Sequence, residues 1–345
     1  MSPDLPEPLD LHAPGLYLNR ELSQLEFNFR VLAQAQDPSV PLLERLKYLC
    51  ISCTNLDEFF EIRAATVRTA QQFGGPLPPD GIPPTQALEL IHDKAASLVE
   101  EQYRYWNETL RPALHEAGID VLIEKPIATS LEEADALIRL ARQRHRIAMV
   151  GHLERFNPAA LALEPLLSDP RFIDSSRLAP FKPRATDVSV LLDLMIHDVD
   201  LILSLVDSEL ESVDCSGARV LTSDIDIANA RIRFANGCVA NVTASRVSAK
   251  SERKMRVFQN QACHSLDFQA RTLTTYRGTT DPQAEPEQSI ERHEQSFGEA
   301  DPLFAEIVDF VDSIRHNRPP KVSGEAGRRA LEAVQRITEA TRLIS

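Results

Sequence analysis

The pattern of apolar residues changes near Gly118, and this change most constrains what the chain can fold into. Before it, apolar residues recur every three or four positions, as in "NRELSQLEFNFRVLAQAQD" (19–37), which is typical of helices with one buried face. After it, "IDVLIEKP" (119–126) is a short apolar run ending in a proline turn, which is typical of a buried strand. The chain therefore joins an all-helical segment to one that contains β-structure.

Residues 17–117 are predicted to form an antiparallel helical bundle. A helix is expected to begin at Pro41, because proline suits a first helical turn. The run "GGPLPPDGIPP" (74–84) then breaks the helical pattern. One long helix follows, with Thr85 predicted as its N-cap.

The segment after Gly118 opens with a strand, an amphipathic helix and a second strand. The helix "TSLEEADALIRLARQRH" is expected to be capped by Thr129 or Ser130, with acidic residues in its first turn. The second strand lies in "RIAMVGHLERFNPA" (146–159). Together these elements predict one parallel, right-handed βαβ unit.

The remainder of the chain predicts a larger sheet. Residues 187–206 are expected to form a strand end plus a helix, and 211–277 alternate in short β-like runs with a hairpin turn at "ANGC" (235–238). A polar acidic loop is predicted at 279–298, followed by two closing helices. The fold class is α+β: an N-terminal all-α bundle, a partial βαβ unit, and an α/β domain with an open, mostly antiparallel sheet.

Composition excludes several classes of partner. The net charge of −14 and pI of about 5.2 argue against a nucleic-acid-binding surface or a membrane-attracting patch. No apolar run reaches the roughly 18–20 residues of a membrane span. The acidic, proline-rich residues 1–15 predict a flexible leader rather than a signal peptide. We expect a cytoplasmic protein without nucleic-acid or membrane partners.

The five cysteines predict buried thiols rather than a metal or redox site. Cys50 and Cys53 form the one C-x-x-C, inside a mostly apolar helical run. A zinc ribbon needs a second such pair, and a redox pair needs a thioredoxin-like βαβ context.

A glycine-rich phosphate loop is absent from the sequence. No G-x-G occurs anywhere among the 345 residues, and the glycines at 324 and 327 stand between predicted C-terminal helices. A dinucleotide-binding fold needs such glycines so that the backbone can approach the pyrophosphate at a helix N-terminus. The phosphate-binding half of such a domain is therefore not expected in this chain.

Residues of about 119–345 resemble the Gfo/Idh/MocA family of NAD(P)-dependent sugar oxidoreductases. The matching motifs are "EKP" (124–126), "VGHLERFNPA" (150–159) and "DLMIHDVDLIL" (193–203), in the family's order and spacing. "GHLERFNPA" with "MIHDVD" is most similar to the UDP-N-acetylglucosamine 3-dehydrogenase-like branch. The resemblance implies NAD or NADP as cofactor, a sugar substrate, and a homo-oligomer formed through the outer face of the open sheet.

Residues of about 16–118 resemble the N-terminal domain of type 1 polyphosphate kinase. The match is carried by "YLNRELSQLEFNFRVLAQAQDPSVPLLERLKYLCISCTNLDEFFEIR" (17–63), with Gln24 where that family usually has tryptophan. This resemblance implies a helical domain that helps to bind ATP, with Asn55 matching an adenine-contacting asparagine. From the residue alone, Asn55 could instead end one helix or cap the next.

The two resemblances predict a hybrid chain with four parts: a leader (1–15), a kinase-like helical domain (16–118), a remnant of a dinucleotide-binding domain (119–160), and a substrate and oligomerisation domain (161–345). We expect an oxidoreductase fragment with impaired cofactor binding. The alternative is a kinase-related ATP-binding or interaction module without phosphotransfer activity.

Lys125 is the first candidate catalytic residue. A lysine at this turn can donate a hydrogen bond to a reacting hydroxyl and stabilise a developing alkoxide. Pro126 fixes the turn, and the resemblance places Glu124 and Pro126 beside the cofactor. The alternative is a solvated surface lysine that follows a strand.

His197 is the second candidate catalytic residue. On an α-helix it would share one face with Asp193 and Asp200, and a histidine with a carboxylate neighbour is a natural proton acceptor. The resemblance assigns it the role of general base, with Asp193 beside the substrate. The alternatives are a core histidine or an Asp/His/Asp metal stripe, although no second cluster of ligands supports a metal site.

Arg155 and Asn157 are candidate substrate-binding residues. Both follow a predicted strand, and arginine is suited to bidentate phosphate contacts. Equally, Arg155 could pair with a nearby carboxylate, and Asn157 could cap the turn before Pro158.

Overall fold

The computed structural model describes residues 10, 13–74, 77–182, 188–278, 290–298 and 300–344. The chain divides into two compact units between Ile119 and Asp120. Most of the predicted leader, residues 1–9 with 11 and 12, lies outside the described residues.

The first unit is helical, as predicted. Its helices are α1 (Arg20–Gln36), α2 (Leu42–Glu58), α3 (Ala65–Phe73), α4 (Pro84–Tyr105) and α5 (Arg111–Glu116). A 3₁₀ turn (Pro14–Leu16) precedes α1, and π turns join α2 to α3 (Phe59–Ala64) and α4 to α5 (Trp106–Leu110). Thr85 is not an N-cap, because α4 begins one residue earlier at Pro84, whose missing N–H costs nothing in a first turn.

The helical unit buries one apolar core that contains several polar contacts. Leu25, Leu32 and Leu98 are among its fully buried side chains. Gln102 Nε2 donates to Ser52 Oγ at 2.8 Å within this core, which satisfies two polar groups that would be costly to bury alone.

The second unit opens with the predicted βαβ unit. Strands β1 (Val121–Glu124) and β2 (Ala148–Gly151) pair in parallel, and α6 (Leu131–Gln143) connects them. Ser130 caps α6 by accepting a hydrogen bond from the Glu133 N–H. In the described part of the chain this parallel sheet consists of β1 and β2. Among the described residues, β1 therefore pairs with a strand along one edge and not along the other.

A larger open sheet forms the rest of the unit. Its strands are β3 (Phe172–Leu178), β4 (Leu210–Ala218), β5 (Ile227–Phe234), β6 (Val239–Ser245), β7 (Glu252–Gln259), β8 (Ala262–Asp267), β9 (Thr272–Gly278), β10 (Ile290–Ser296) and β11 (Thr341–Leu343). Their order is β10-β9-β8-β7-β3-β6-β5-β4-β11, and every pairing is antiparallel except β3 with β6 and β4 with β11. The β5–β6 hairpin turns at Gly237, whose φ of 86° suits glycine.

Helices cover one face of this sheet. They are α7 (Pro158–Leu163), α8 (Ile196–Leu205) and α10 (Gly324–Ala340), and their apolar side chains meet those of the strands in one core. A further helix, α9 (Pro302–His316), packs near the βαβ unit, where its residues Ala305 and Phe310 join a second cluster. This arrangement confirms the predicted α+β fold class with an open, mostly antiparallel sheet.

Three more local predictions were wrong. Cys50 and Cys53, predicted as buried thiols, are exposed on α2. Residues 290–296 form β10 instead of a loop, although 279–289 lie outside the described residues. Val190 begins a helical turn instead of ending a strand, because Leu191–Met195 is a π turn that leads into α8. No helix among the described residues is long and apolar enough to cross a membrane.

Candidate functional site

Lys125 lies directly after β1 and reaches the helical turn that precedes α8. Its Nζ donates a hydrogen bond to the backbone carbonyl of Asp193 at 2.8 Å and lies 3.5 Å from Asp193 Oδ1. The lysine side chain is 18% exposed, and the peptide bond between Lys125 and Pro126 is cis. Lys125 is therefore a partly buried, fixed cation and not a freely solvated lysine.

His197 is half-buried on α8, and its Nδ1 has no hydrogen-bond partner among the described residues. Burial lowers the pKa of His197 well below the ordinary histidine value, and the positive charges of Arg177 and Lys125 lower it further. The ring is therefore neutral near pH 7, which is the state that can accept a proton.

The predicted stripe of Asp193, His197 and Asp200 is not a single α-helical face. Asp193 lies in the π turn Leu191–Met195, where the i→i+5 pattern changes the angular spacing, and its carboxylate lies beside Lys125. Asp200 is buried beside Arg155 and His152 instead. No group of three or more residues able to hold a metal ion occurs in the described segments.

Asp200, Arg155 and His152 form a buried polar cluster. Asp200 Oδ2 lies 3.6 Å from Arg155 Nη1 and 3.8 Å from His152 Nδ1. Burial lowers the pKa of His152 to about 3, and burial raises the pKa of Asp200 to about 7 despite the positive charge of Arg155. Arg155 is therefore paired with a carboxylate, which was the alternative considered from the sequence.

Asn157 caps a helix at the edge of this cluster. Its Oδ1 accepts from the Ala159 N–H at 3.1 Å, and its Nδ2 donates to the carbonyl of Phe268 at 3.1 Å. These contacts use its amide for local structure, which matches the capping alternative drawn from the sequence.

A second buried carboxyl lies near the end of β1. Glu306 of α9 is 2% exposed, and its Oε1 has no hydrogen-bond partner in the described segments. Burial raises the pKa of Glu306 to about 7, and the negative charge of Glu124 adds to this effect. Glu124 itself lies against Gly151, where an added Cβ would meet its Oε2 at 3.1 Å.

Asn55 lies in the helical unit, inside the last turn of α2. The helix passes into the π turn Phe59–Ala64 without a break, so Asn55 neither ends one helix nor caps the next. Its side chain is half-buried.

Sequence reasoning missed Arg177 and Glu306. Arg177 shares the buried face of β3 with Ile173 and Ser175. This period of two residues could have identified Arg177 from the sequence as a buried arginine. Glu306 shares α9 with Asp309 and Asp312, so the sequence alone does not mark it as the buried carboxyl.

Comparisons with known proteins give the two ends of the chain different relatives. Residues 17–122 match the polyphosphate kinase N-terminal domain, 102–152 match the oxidoreductase family with an NAD-binding Rossmann fold, and 169–268 match the GFO/IDH/MocA C-terminal domain. The UDP-N-acetylglucosamine 3-dehydrogenase of Acidithiobacillus ferrooxidans is 41% identical over 224 residues, which are 64% of this chain and 71% of that protein. The chain belongs to the Gfo/Idh/MocA oxidoreductase family.

Solved structures support the same family. A crystal structure of the Acidithiobacillus ferrooxidans enzyme is 35% identical, with a TM-score of 0.64 over 73% of this chain and 87% of that one. A levoglucosan dehydrogenase in complex with NADH and L-sorbose shares the fold at 19% identity and a TM-score of 0.59, over 67% of this chain and 73% of that one. The predicted resemblance of this segment to Gfo/Idh/MocA oxidoreductases is confirmed.

The N-terminal segment has different relatives. Polyphosphate kinase from Xylella fastidiosa is 68% identical over 109 residues, which are 32% of this chain. Those residues span only 16% of the kinase, so the chain carries a small part of that protein. The predicted resemblance to its N-terminal domain is confirmed.

Proposed function

We propose that residues 120–345 form the substrate-binding half of an oxidoreductase that acts on a CH–OH group of a nucleotide sugar. The observation that carries this proposal is the hydrogen bond of Lys125 to the Asp193 carbonyl, which fixes this cation against the helical stretch that carries the neutral ring of His197. The 41% identity to a UDP-N-acetylglucosamine 3-dehydrogenase supports a nucleotide sugar as the ligand.

Lys125 and His197 would contact the same sugar hydroxyl. The lysine donates a hydrogen bond to its oxygen and stabilises negative charge there, while neutral His197 accepts the hydrogen-bonded proton. Asp193 holds Lys125 in place through its carbonyl and its carboxylate. Arg155 and Asn157 then support the site from behind, because Arg155 Nη1 pairs with Asp200 and the Asn157 amide donates to the Phe268 carbonyl.

The residues present do not fit NAD or NADP, although relatives of this family bind such a cofactor. A pyrophosphate needs backbone N–H groups from a glycine-rich turn between a strand and a helix. The sequence contains no G-x-G, and the parallel sheet has two strands in the described part of the chain. Glu124 and Pro126 were predicted to lie beside the cofactor, but no pyrophosphate-binding loop accompanies them in the sequence. We therefore propose that cofactor binding is impaired.

The helical unit supports a second candidate function, which is ATP binding or docking to a partner without phosphotransfer. It rests on the 68% identity to a polyphosphate kinase over 109 residues, with Asn55 as the adenine contact.

We also propose that the chain forms a cytoplasmic homo-oligomer through the outer face of the large sheet. That face carries the exposed ion pair of Arg256 with Asp174, flanked by the partly buried ring pair of Phe172 and Phe258.

Calorimetric titration of the purified full chain tests the proposed nucleotide-sugar ligand and the proposed impairment of cofactor binding. We expect binding of UDP-N-acetylglucosamine, weakened in Lys125→Ala, and no binding of NADH at micromolar concentration. Lys321→Ala is the matched control, because this lysine forms a partly exposed ion pair with Glu164. Micromolar affinity for NADH would overturn the proposed impairment, and failure to bind the nucleotide sugar would overturn the assigned ligand.

A further inference from the structure

His152 is the most enclosed polar side chain of the candidate site that has no hydrogen bond. It follows β2 directly, is 1% exposed, and neither Nδ1 nor Nε2 has a hydrogen-bond partner among the described residues. Burying such a group without a hydrogen bond is costly, so native structures nearly always provide a partner. Two orphaned nitrogens on one buried ring indicate that something else meets them.

One of the two nitrogens has a protein group nearby. His152 Nδ1 lies 3.8 Å from Asp200 Oδ2, just beyond hydrogen-bond distance, and Arg155 Nη1 lies 3.6 Å from the same oxygen. A small movement of the ring, or one bridging water, completes this contact. Nε2 has no equivalent neighbour within the described part of the chain.

The position of the ring places it with the candidate catalytic groups. Lys125 Nζ contacts the Asp193 carbonyl at 2.8 Å, and His152 Nδ1 approaches Asp200 Oδ2 at 3.8 Å. Because His197 stands between Asp193 and Asp200 in the chain, the lysine that follows β1 and the histidine that follows β2 both reach the helical stretch that carries it. A polyhydroxylated ligand there can accept a hydrogen bond from Lys125 and still needs acceptors for its own hydroxyl hydrogens.

We propose that His152 is a sugar-binding residue whose Nε2 accepts a hydrogen bond from a substrate hydroxyl, and that Asp200 positions it by fixing the hydrogen on Nδ1. This inference rests on the proposed function, because it assigns a further contact within the same site. Asp200 is a positioning residue, and it acts on the ligand only through His152.

The charges around the pair define when this arrangement holds. His152 stays neutral because burial and the positive charges of Arg155 and Lys125 lower its pKa to about 3. Asp200 faces Arg155, His152 and, from α10, Arg329, while its neighbour Asp198 is paired with Arg177. Because burial raises the pKa of Asp200 to about 7, the carboxylate that accepts from Nδ1–H predominates at pH 8.

Nitrogen NMR of the full chain with ¹⁵N-labelled histidine tests the positioning step without any ligand. We expect one neutral ring that carries its hydrogen on Nδ1 at pH 8 and does not become a cation down to pH 5.5. Its resonances should change when Asp200 takes up a proton and should be missing in His152→Phe. A His152 ring that titrates with an ordinary histidine pKa, or that carries its hydrogen on Nε2 at pH 8, overturns the proposal.

Titration with UDP-N-acetylglucosamine at pH 8 tests the contact itself. We expect His152→Phe to bind about tenfold more weakly, and addition of the sugar to shift the Nε2 resonance of the unaltered chain. His316→Gln, on the exposed end of α9, is the control and should bind normally. Equal affinity of His152→Phe and the unaltered chain overturns this inference and leaves the proposed function intact, whereas no binding by the unaltered chain overturns both.

Discussion

Arg177 and Asp198 form a buried ion pair that joins β3 to α8. Arg177 Nε donates to Asp198 Oδ2 at 2.6 Å, and both side chains are less than 5% exposed. Ser175 Oγ donates to the other carboxylate oxygen at 2.9 Å, and Arg177 Nη1 also reaches Glu154. The pair sets the position of the helix that carries His197.

We predict that Asp198→Ala destabilises the second unit by about 3–5 kcal/mol, because it leaves the guanidinium of Arg177 buried without its main partner. Urea unfolding followed by circular dichroism measures the change. Asp174→Ala is the control, since Asp174 pairs with Arg256 at the exposed face of the same strand and should cost less than about 1 kcal/mol. If the two variants lost similar unfolding free energy, burial of the Arg177–Asp198 pair would not explain its effect on stability.

We predict that Gly327→Ala destabilises the packing of α10 on β2. A Cβ at this position would lie 2.6 Å from Val150 Cγ2 and 3.0 Å from Val150 Cβ. Overpacking of this kind costs about 1–3 kcal/mol, more than the roughly 1 kcal/mol that alanine gains over glycine in a helix. Thermal unfolding of the full chain shows whether Gly327→Ala lowers or raises its stability.

The double variant Gly327→Ala with Val150→Ala checks the cause of that loss, because it removes the colliding methyl groups. The double variant should lose less unfolding free energy than the sum of the losses of the two single variants. Gly278→Ala is the neutral control, since an added Cβ there has no heavy atom within 4 Å in the described structure. Strictly additive losses would show that Val150 is not the obstacle.

The sequence predicted those features that depend on neighbouring residues. The change at Gly118, the cap at Ser130 and the hairpin at Gly237 each follow from local chemistry, and the structure has all three. The strand β10 escaped prediction because every one of its residues is exposed, so no alternation of apolar and polar residues marks it.

The candidate site was predictable in its parts but not in its pairings. Lys125 and His197 were chosen from motifs, and the structure places Lys125 against the carbonyl of Asp193, four residues before His197. The partners of Asp193 and Asp200 could not be derived, because a π turn changes the helical spacing and because Arg155 lies 45 residues away from Asp200 in the chain. Such contacts depend on tertiary packing, which local spacing does not encode.

We predict that Lys125→Met lowers the stability of the second unit by about 1–2 kcal/mol, because a charge-assisted hydrogen bond to the Asp193 carbonyl is lost. Asp193→Asn keeps that carbonyl and removes only the weaker contact at 3.5 Å, so it should cost less. Urea unfolding of both variants at pH 7 compares them. A larger loss for Asp193→Asn would show that the carboxylate holds the lysine.

Glu306 should make the stability of the second unit fall as the pH rises from about 4.5 to 7. Burial and the negative charge of Glu124 raise the folded-state pKa of Glu306 to about 7, while its pKa in the unfolded chain is near the ordinary glutamic acid value of 4.5. Between these values the folded chain keeps a proton that the unfolded chain has released, so raising the pH favours unfolding. Above pH 7 the contribution of this residue becomes constant.

Glu306→Gln removes this titration, because the amide has no proton to release. Its unfolding free energy, relative to the unaltered chain, should therefore increase by about 2 kcal/mol between pH 5 and pH 8. Asp200 contributes a fall of the same sign and His152 a rise, since their pKa values shift in opposite directions, but both remain in the variant and cancel in the comparison. Glu124→Gln should produce a smaller change in the same direction, because it removes only the second cause of the raised pKa. Parallel stability curves for Glu306→Gln and the unaltered chain would show that Glu306 is ionised throughout this range.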